Sequence, residues 1–336
     1  MNALSRNKNM QIELVEMPEP HISTPNDVQV EIKYATFCRD DMRISDKLGI
    51  FNDVGVIGHE ACGVISESGV YARENGFEIG DRVMIYPIHS CCKCKECLKQ
   101  RPQYCSEAGL SIGVFSEFIV RDFHQLVKIP SFLSFKQASV MEPVADVLEA
   151  LKKIKYDFFS NILIIGGGFC GLTFLKTLKA CGVKNVVVVE PIEARQTLAT
   201  SFGATVALST TDNNFQMNLM KHTNFNGFDI VIDTTANSQT INLVLPSMAA
   251  NSTLLMFAYQ NSTDIVSFNS LNMYKNNISV VWSCLCGLEQ VRNSAGIIHE
   301  LSLARLITKE YPFKDSVEAY NKYLTYDEIK IGVTFD

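Results

Sequence analysis

The run NILIIGGGFCG, residues 161–171, restricts the folds open to this chain more than any other stretch. Five residues, Asn161 to Ile165, form an almost wholly apolar segment suited to a parallel strand buried on both faces. Gly166, Gly168 and Gly171 then occupy the three glycine positions of G-x-G-x-x-G. A helix over Leu172 to Cys181 and a second apolar strand from Asn185 lead to Glu190, 19 residues past the last glycine. In this strand, turn, helix, strand setting the pattern predicts a dinucleotide-binding unit. Gly166 permits the tight turn, Gly168 lets backbone approach a pyrophosphate, and Gly171 allows the helix to pack closely on the strand. Phe169 and Cys170 lie at the start of that helix, whose free N–H groups and partial positive charge favour phosphate.

Glu190 bears on the choice of nucleotide. A carboxylate at the end of the second strand accepts hydrogen bonds from the ribose hydroxyls of NAD and repels the additional phosphate of NADP. Arg195, within reach of the adenosine end, is the feature that would soften a preference for NAD. Further strands read at 205–209, 228–233, 252–257 and 278–282, with helices near 192–201, 214–222 and 238–248. This alternation predicts a doubly wound parallel sheet over residues 146–286.

A second constraint is PIHSCCKCKECLKQRPQYC, residues 87–105, where Cys91, Cys94, Cys97 and Cys105 can wrap four thiolates around one ion. Four sulfurs in a tetrahedral set favour zinc, and a site with no open position is structural. Two disulfides are the other reading of these cysteines. The total of 11 is odd, however, and most of the others stand singly in apolar runs. Cys92 is read as a bystander where a tight turn would favour glycine. The first 20 residues carry no apolar signal segment, and the expected setting is the cytoplasm.

Residues 1 to about 145 read as strands and turns, with period-two alternation from Asp27 to Tyr34 and short glycine-bounded runs at 56–65 and 79–85. They predict a small barrel-like β domain. Within it Cys38, His59, Glu60 and, further on, Glu142 are candidate ligands of a second, catalytic zinc, a mixed donor set drawn from separated segments. Asp41 is placed to take the other ring N–H of His59. A final strand from Lys330 to Phe335 is expected to return to this domain.

A length of 336 residues favours two domains. A net charge of −6 with no basic block gives no electrostatic reason to expect nucleic acid or an anionic membrane as partner. No apolar run reaches 18 residues, so no transmembrane helix is expected.

Taken together, Cys38-Arg39-Asp40-Asp41, Gly58-His59-Glu60, Gly80-Asp81-Arg82-Val83, the four-cysteine lobe, Glu142-Pro143 and the glycine turn with Glu190 resemble the zinc-dependent medium-chain dehydrogenase/reductases over nearly the whole chain. The resemblance implies a GroES-like β-barrel catalytic domain from residues 1–145 and 287–336, and a Rossmann domain between them. It also implies a homodimer or homotetramer joined through the Rossmann domains. Glu142-Pro143 resembles the polyol branch, which implies NAD-dependent oxidation of a polyol, a sugar-alcohol phosphate or an aminocyclitol. Arg39 stands where some relatives contact the cofactor pyrophosphate, and Asp40 where the branch usually has a proton-relaying hydroxyl. The alternatives are an NADP-dependent carbonyl reductase of the same fold and a catalytically silent nucleotide- and zinc-binding protein.

Overall fold

The computed structural model describes residues 1–42, 54–258 and 265–335. They form two compact units, Met1–Ala145 with Cys286–Asp336, and Asp146–Leu285.

The first unit is built on β1 (Asp27–Thr36), whose alternating side chains form a long central strand. β2 (Glu60–Ser68) pairs antiparallel with it, β3 (Arg82–Ile85) with β2, β4 (Phe118–Asp122) with β1, and β5 (Leu126–Lys128) with β3. The run read from the sequence as continuous over 56–65 is broken. Gly55–Val56 joins a separate small sheet with Asn2–Arg6 and Ile12–Glu16, and β2 starts only at Glu60. Gly58 causes the break: its φ is +91°, and a Cβ there would lie 2.2 Å from the Phe115 ring. The turn leaves His59 and Glu60 at the entrance of a central strand, both buried.

Helix α1 spans Met141–Leu151. Pro143 falls in its first turn, where a missing N–H is tolerated, and Glu142 sits beside it. The second unit follows as β6 (Asn161–Ile165), α2 (Phe169–Ala180), β7 (Asn185–Val189), α3 (Glu193–Ser201), β8 (Val206–Leu208), β9 (Phe228–Asp233), β10 (Met248–Met256) and β11 (Ser279–Trp282). Its sheet runs β8-β7-β6-β9-β10-β11, with every pair parallel. Strand order reverses at β6, and ligands of such sheets bind at the carboxyl ends of the strands flanking that reversal. Leu163, Val187, Val231 and Leu254 are fully buried in its core, as strands covered on both faces require.

The chain then returns to the first unit with β12 (Ile307–Pro312), α4 (Ser316–Leu324) and β13 (Lys330–Thr334). β13 pairs antiparallel with β1 and parallel with β12, so it completes the sheet from the distant end of the sequence. Phe37, just past β1, stacks on Phe115 with ring centroids 4.3 Å apart and joins a core that includes Tyr320, Tyr323 and Val333.

Candidate metal centres and nucleotide site

The four lobe cysteines converge. Their sulfurs all lie within 4.8 Å of one another, with Sγ–Sγ separations of 3.5 Å for Cys94–Cys97, 3.5 Å for Cys91–Cys105 and 3.9 Å for Cys91–Cys97. A tetrahedron with zinc–sulfur bonds of about 2.3 Å has edges of about 3.8 Å, so the donor set fits that ion. Backbone N–H groups of Lys93 and Cys94 help draw the Cys91 thiol down to about 7, which favours the thiolate a metal needs. Cys92 adopts φ +57°, the conformation that glycine takes most readily.

The second cluster brings together Cys38, His59 and Glu60, whose ligand atoms also lie mutually within 4.8 Å. Cys38 follows β1, while His59 and Glu60 flank the start of β2, which pairs with β1 at Thr36 and Glu60. Asp41 lies behind them. One of its carboxylate oxygens is 2.9 Å from His59 Nδ1 and the other accepts the Cys38 N–H at 2.8 Å. Holding the Nδ1 proton on Asp41 directs Nε2 to the cluster, the arrangement of a metal-binding histidine. Burial pushes the Cys38 thiol up to about 12, against the opposing pull of His59. Burial lowers His59, but Asp41 and Cys38 outweigh it and hold the imidazole well above its ordinary range. The fit to zinc rests on geometry: one sulfur, one ring nitrogen and one carboxylate oxygen converge in a buried pocket, a mixed donor set of the kind that holds a catalytic ion.

The other candidates are distributed around this cluster. Glu142 is buried in the first turn of α1 but stands outside the mutual 4.8 Å set. Asp40 is half-buried in the turn after Cys38, and its charge raises that thiol. Arg39 is engaged within its own unit. Its guanidinium carbon lies 3.8 Å from the Tyr323 ring centroid and 4.0 Å from that of Tyr326, and Nη1 donates to the Tyr323 carbonyl. The guanidinium that the resemblance assigns to a cofactor pyrophosphate thus lies against two aromatic faces.

In the second unit, the glycine turn has the geometry its spacing predicts. Gly166 has φ +105°, and a Cβ on Gly171 would lie 2.0 Å from the Gly166 carbonyl oxygen. Gly168 caps α2 with no atom within 4 Å of an added Cβ, open space at a helix N-terminus that suits a phosphate. Phe169 is buried and Cys170 half-buried in the first turn of α2. Glu190, at the end of β7, accepts from the Gly167 N–H at 2.7 Å and the Ile192 N–H at 3.0 Å, which fixes its carboxylate beside the turn. Arg195 is buried in α3.

Two family models match the chain: the alcohol dehydrogenase GroES-like domain over residues 24–131 and zinc-binding dehydrogenase over residues 170–300. The chain belongs to the zinc-dependent medium-chain dehydrogenase/reductase family. It is 24% identical to "Probable D-xylulose reductase A" of Aspergillus fumigatus, over 96% of this chain and 91% of that protein. It is 25% identical to L-threonine 3-dehydrogenase of Vibrio parahaemolyticus, over 96% and 95% of the two chains. The crystal structure of galactitol-1-phosphate dehydrogenase from Escherichia coli superposes with a TM-score of 0.87 at 21% identity, covering 99% of this chain and 100% of that one, and shares its fold. Membership of the medium-chain dehydrogenases carries oxidoreductase activity of the zinc alcohol/polyol dehydrogenase kind, with zinc and a nicotinamide cofactor.

Within this dehydrogenase, sequence reasoning overlooked Lys330. Its ammonium lies 2.6 Å from Glu60 Oε2 and 2.8 Å from Oε1, with both side chains almost wholly buried. Thr36 donates a further hydrogen bond to Glu60 Oε2. The available signal was a single cation between Ile329 and Ile331 in an apolar strand. No helix among the described residues is long and apolar enough to cross a membrane.

Proposed function

We propose that this chain is an NAD-dependent zinc polyol dehydrogenase, moving hydride between NAD and a secondary alcohol of a polyol, a sugar-alcohol phosphate or an aminocyclitol. The observation that carries the reading is the Cys38, His59 and Glu60 cluster with Asp41 behind it. The relatives named for xylulose, threonine and galactitol phosphate support a secondary alcohol or its ketone as the reacting group.

In this reading Cys38, His59 and a carboxylate from Glu60 or Glu142 hold the catalytic zinc, and Cys91, Cys94, Cys97 and Cys105 hold the structural one. When bound, the catalytic zinc polarises the substrate oxygen and lowers the pKa of the alcohol. Asp41 fixes the histidine tautomer and the Cys38 backbone. Asp40, in place of the usual hydroxyl, accepts the alcohol proton or binds a second hydroxyl or amine of the substrate. The glycine turn receives the pyrophosphate, and Glu190 receives the ribose hydroxyls. Because that carboxylate is fixed by two backbone N–H groups, a phosphate on the ribose would meet a negative charge that cannot swing away, which favours NAD over NADP.

The same reading includes a homodimer or homotetramer through the second unit. β11 ends its sheet, and among the described residues Trp282 on it and Tyr274 nearby are strongly exposed, at 61% and 85%. A cytoplasmic setting belongs to the same reading, supported by an odd number of cysteines, 11, most of them single in apolar runs.

Metal analysis together with a panel of polyols, their phosphates and aminocyclitols, each offered with NAD and NADP, tests the reading. Two zinc ions per chain and NAD-linked oxidation of one class are expected. One zinc and no turnover would make the protein a nucleotide-binding scaffold, and turnover with NADP alone would make it the reductase.

A further inference from the structure

Arg6 is only 1% exposed and is among the largest wholly buried side chains of the described residues, an unusual place for a guanidinium. Taking that charge out of water is costly unless its donors meet fixed acceptors. One of them, Nη2, donates to the carbonyl of Asp41. The strand that carries Arg6, Asn2–Arg6, is anchored elsewhere by its backbone. Arg6 stands opposite Gly55 and Ser5 opposite Val56, the Leu4 carbonyl accepts the Ile57 N–H at 3.2 Å, and the Leu4 N–H donates to the Phe115 carbonyl at 2.8 Å. The stretch so held runs through Gly58, where the Phe115 ring leaves no room for a Cβ, into His59. The contacts therefore close a circuit: the first strand holds residues 55–57, these lead to His59, His59 binds the Asp41 carboxylate, and the Asp41 carbonyl returns to Arg6.

Resting on the reading of Cys38 and His59 as a zinc centre, we propose that Arg6 is a positioning residue of that centre, which pins the Asp41 turn to the strand leading into His59 so that both ligands hold their places before a metal arrives. The Asp41 carboxylate fixes Cys38 and His59 relative to itself, at 2.8 and 2.9 Å, but its backbone lies in a three-residue turn, Asp40–Met42. A turn this short has few hydrogen bonds of its own to keep it in place. Arg6 supplies the missing attachment from a strand that is itself in register with the approach to His59. It also brings a full positive charge to the residue whose carboxylate is buried, which offsets part of the penalty of burying that carboxylate. Removing the guanidinium takes a donor from a buried carbonyl and lets the turn, with Cys38 on it, move relative to His59.

The test uses the full-length protein with Co2+ in the Cys38–His59 centre and zinc kept in the four-cysteine lobe, read by the visible absorption bands of the cobalt and by the metal retained against a chelator. Arg6→Met removes the donor and the charge. Its bands are expected to shift and its cobalt to be held about tenfold more weakly, while the lobe keeps its zinc. Arg6→Lys can still donate to the Asp41 carbonyl and is expected to retain cobalt within about threefold of the native protein. Native bands and native retention in a folded Arg6→Met protein would overturn the proposal. So would equal loss of metal from both centres, or an Arg6→Lys protein as weak as Arg6→Met, since either would make Arg6 a packing residue of the fold. A measurement on the unaltered protein decides if Arg6→Met does not fold. Hydrogen exchange at the Cys38 amide, which donates to Asp41, is expected to stay slow when the centre is stripped of metal. An amide that opens on stripping would show that the ion, not Arg6, holds the turn. Cys38→Ser is the separate control: cobalt bands that survive it would remove the zinc reading of the cluster itself, whatever the Arg6 variants do.

Discussion

Asp41 binds His59 through one carboxylate oxygen at 2.9 Å while its other oxygen accepts the Cys38 backbone N–H at 2.8 Å, so a single side chain sets the direction of two candidate ligands. Asp41→Asn removes the charge that stabilises the imidazole proton on Nδ1 and can present an amide N–H to it instead. Affinity at this centre should fall roughly 10–100-fold, the usual range for a partner behind a ligand. Metal analysis after dialysis against a chelator should then find the variant losing one zinc per chain and keeping the other.

Glu142 lies in the first turn of α1, buried, and its replacement tests its place as a ligand. Glu142→Ala should lower turnover by roughly 10²-fold or deplete the catalytic metal, while circular dichroism stays that of the native protein. Native turnover would remove Glu142 from the site.

Asp40 contributes a negative charge that raises the neighbouring Cys38 thiol. The same charge disfavours deprotonation of any group beside it, including an alcohol at the metal. Asp40→Ser should therefore move the acidic limb of the kcat/KM profile to lower pH, by about one unit. An unmoved profile would leave Asp40 a structural acid.

Glu190, tied to the Gly167 and Ile192 N–H groups, is the feature that separates the two nicotinamide nucleotides. Glu190→Ser should raise the KM for NAD about 10-fold or more, the loss of a charged hydrogen bond, and improve use of NADP. Paired steady-state measurements with both nucleotides check it.

A stability prediction arises from Glu310 on β12. Burial pushes its carboxyl up, but hydrogen bonds from Lys136 and from Tyr34 on the central strand prevail and hold it below the usual range. Because the folded value lies below the unfolded one, the stabilisation is present above about pH 4.3 and is lost as pH falls through the folded value. Glu310→Gln should therefore flatten the acid limb of stability, seen as urea midpoints that differ less between about pH 6 and pH 3.5. The partly exposed pair limits the change near neutrality to about 1 kcal/mol or less.

Features that depend on spacing within a short stretch were legible in the sequence. The four-cysteine lobe and the glycine turn each place their donors within about twenty residues, and local geometry does the rest. Cys38, His59 and Glu60 were readable as candidates because their residue types suit one ion, and β1–β2 pairing brings them together. The Lys330–Glu60 pair was hidden by a separation of 270 residues and by a strand register that no local pattern encodes. The ring contacts of Arg39 were hidden for a similar reason: the tyrosines beside it are at 323 and 326, on and just beyond α4.

The late arrival of β13 also bears on biosynthesis. As the polypeptide leaves the ribosome, the acid at 60 and the histidine beside it emerge some 270 residues before the lysine that neutralises that acid. The nascent β-sheet therefore waits with a vacant lane beside β1 while the intervening α/β unit, whose strands are contiguous in sequence, is free to fold. The acid at 60 thus gains its counter-charge only once β13 has been made, so chains lacking that strand would carry the candidate ligands without the means to settle their charge.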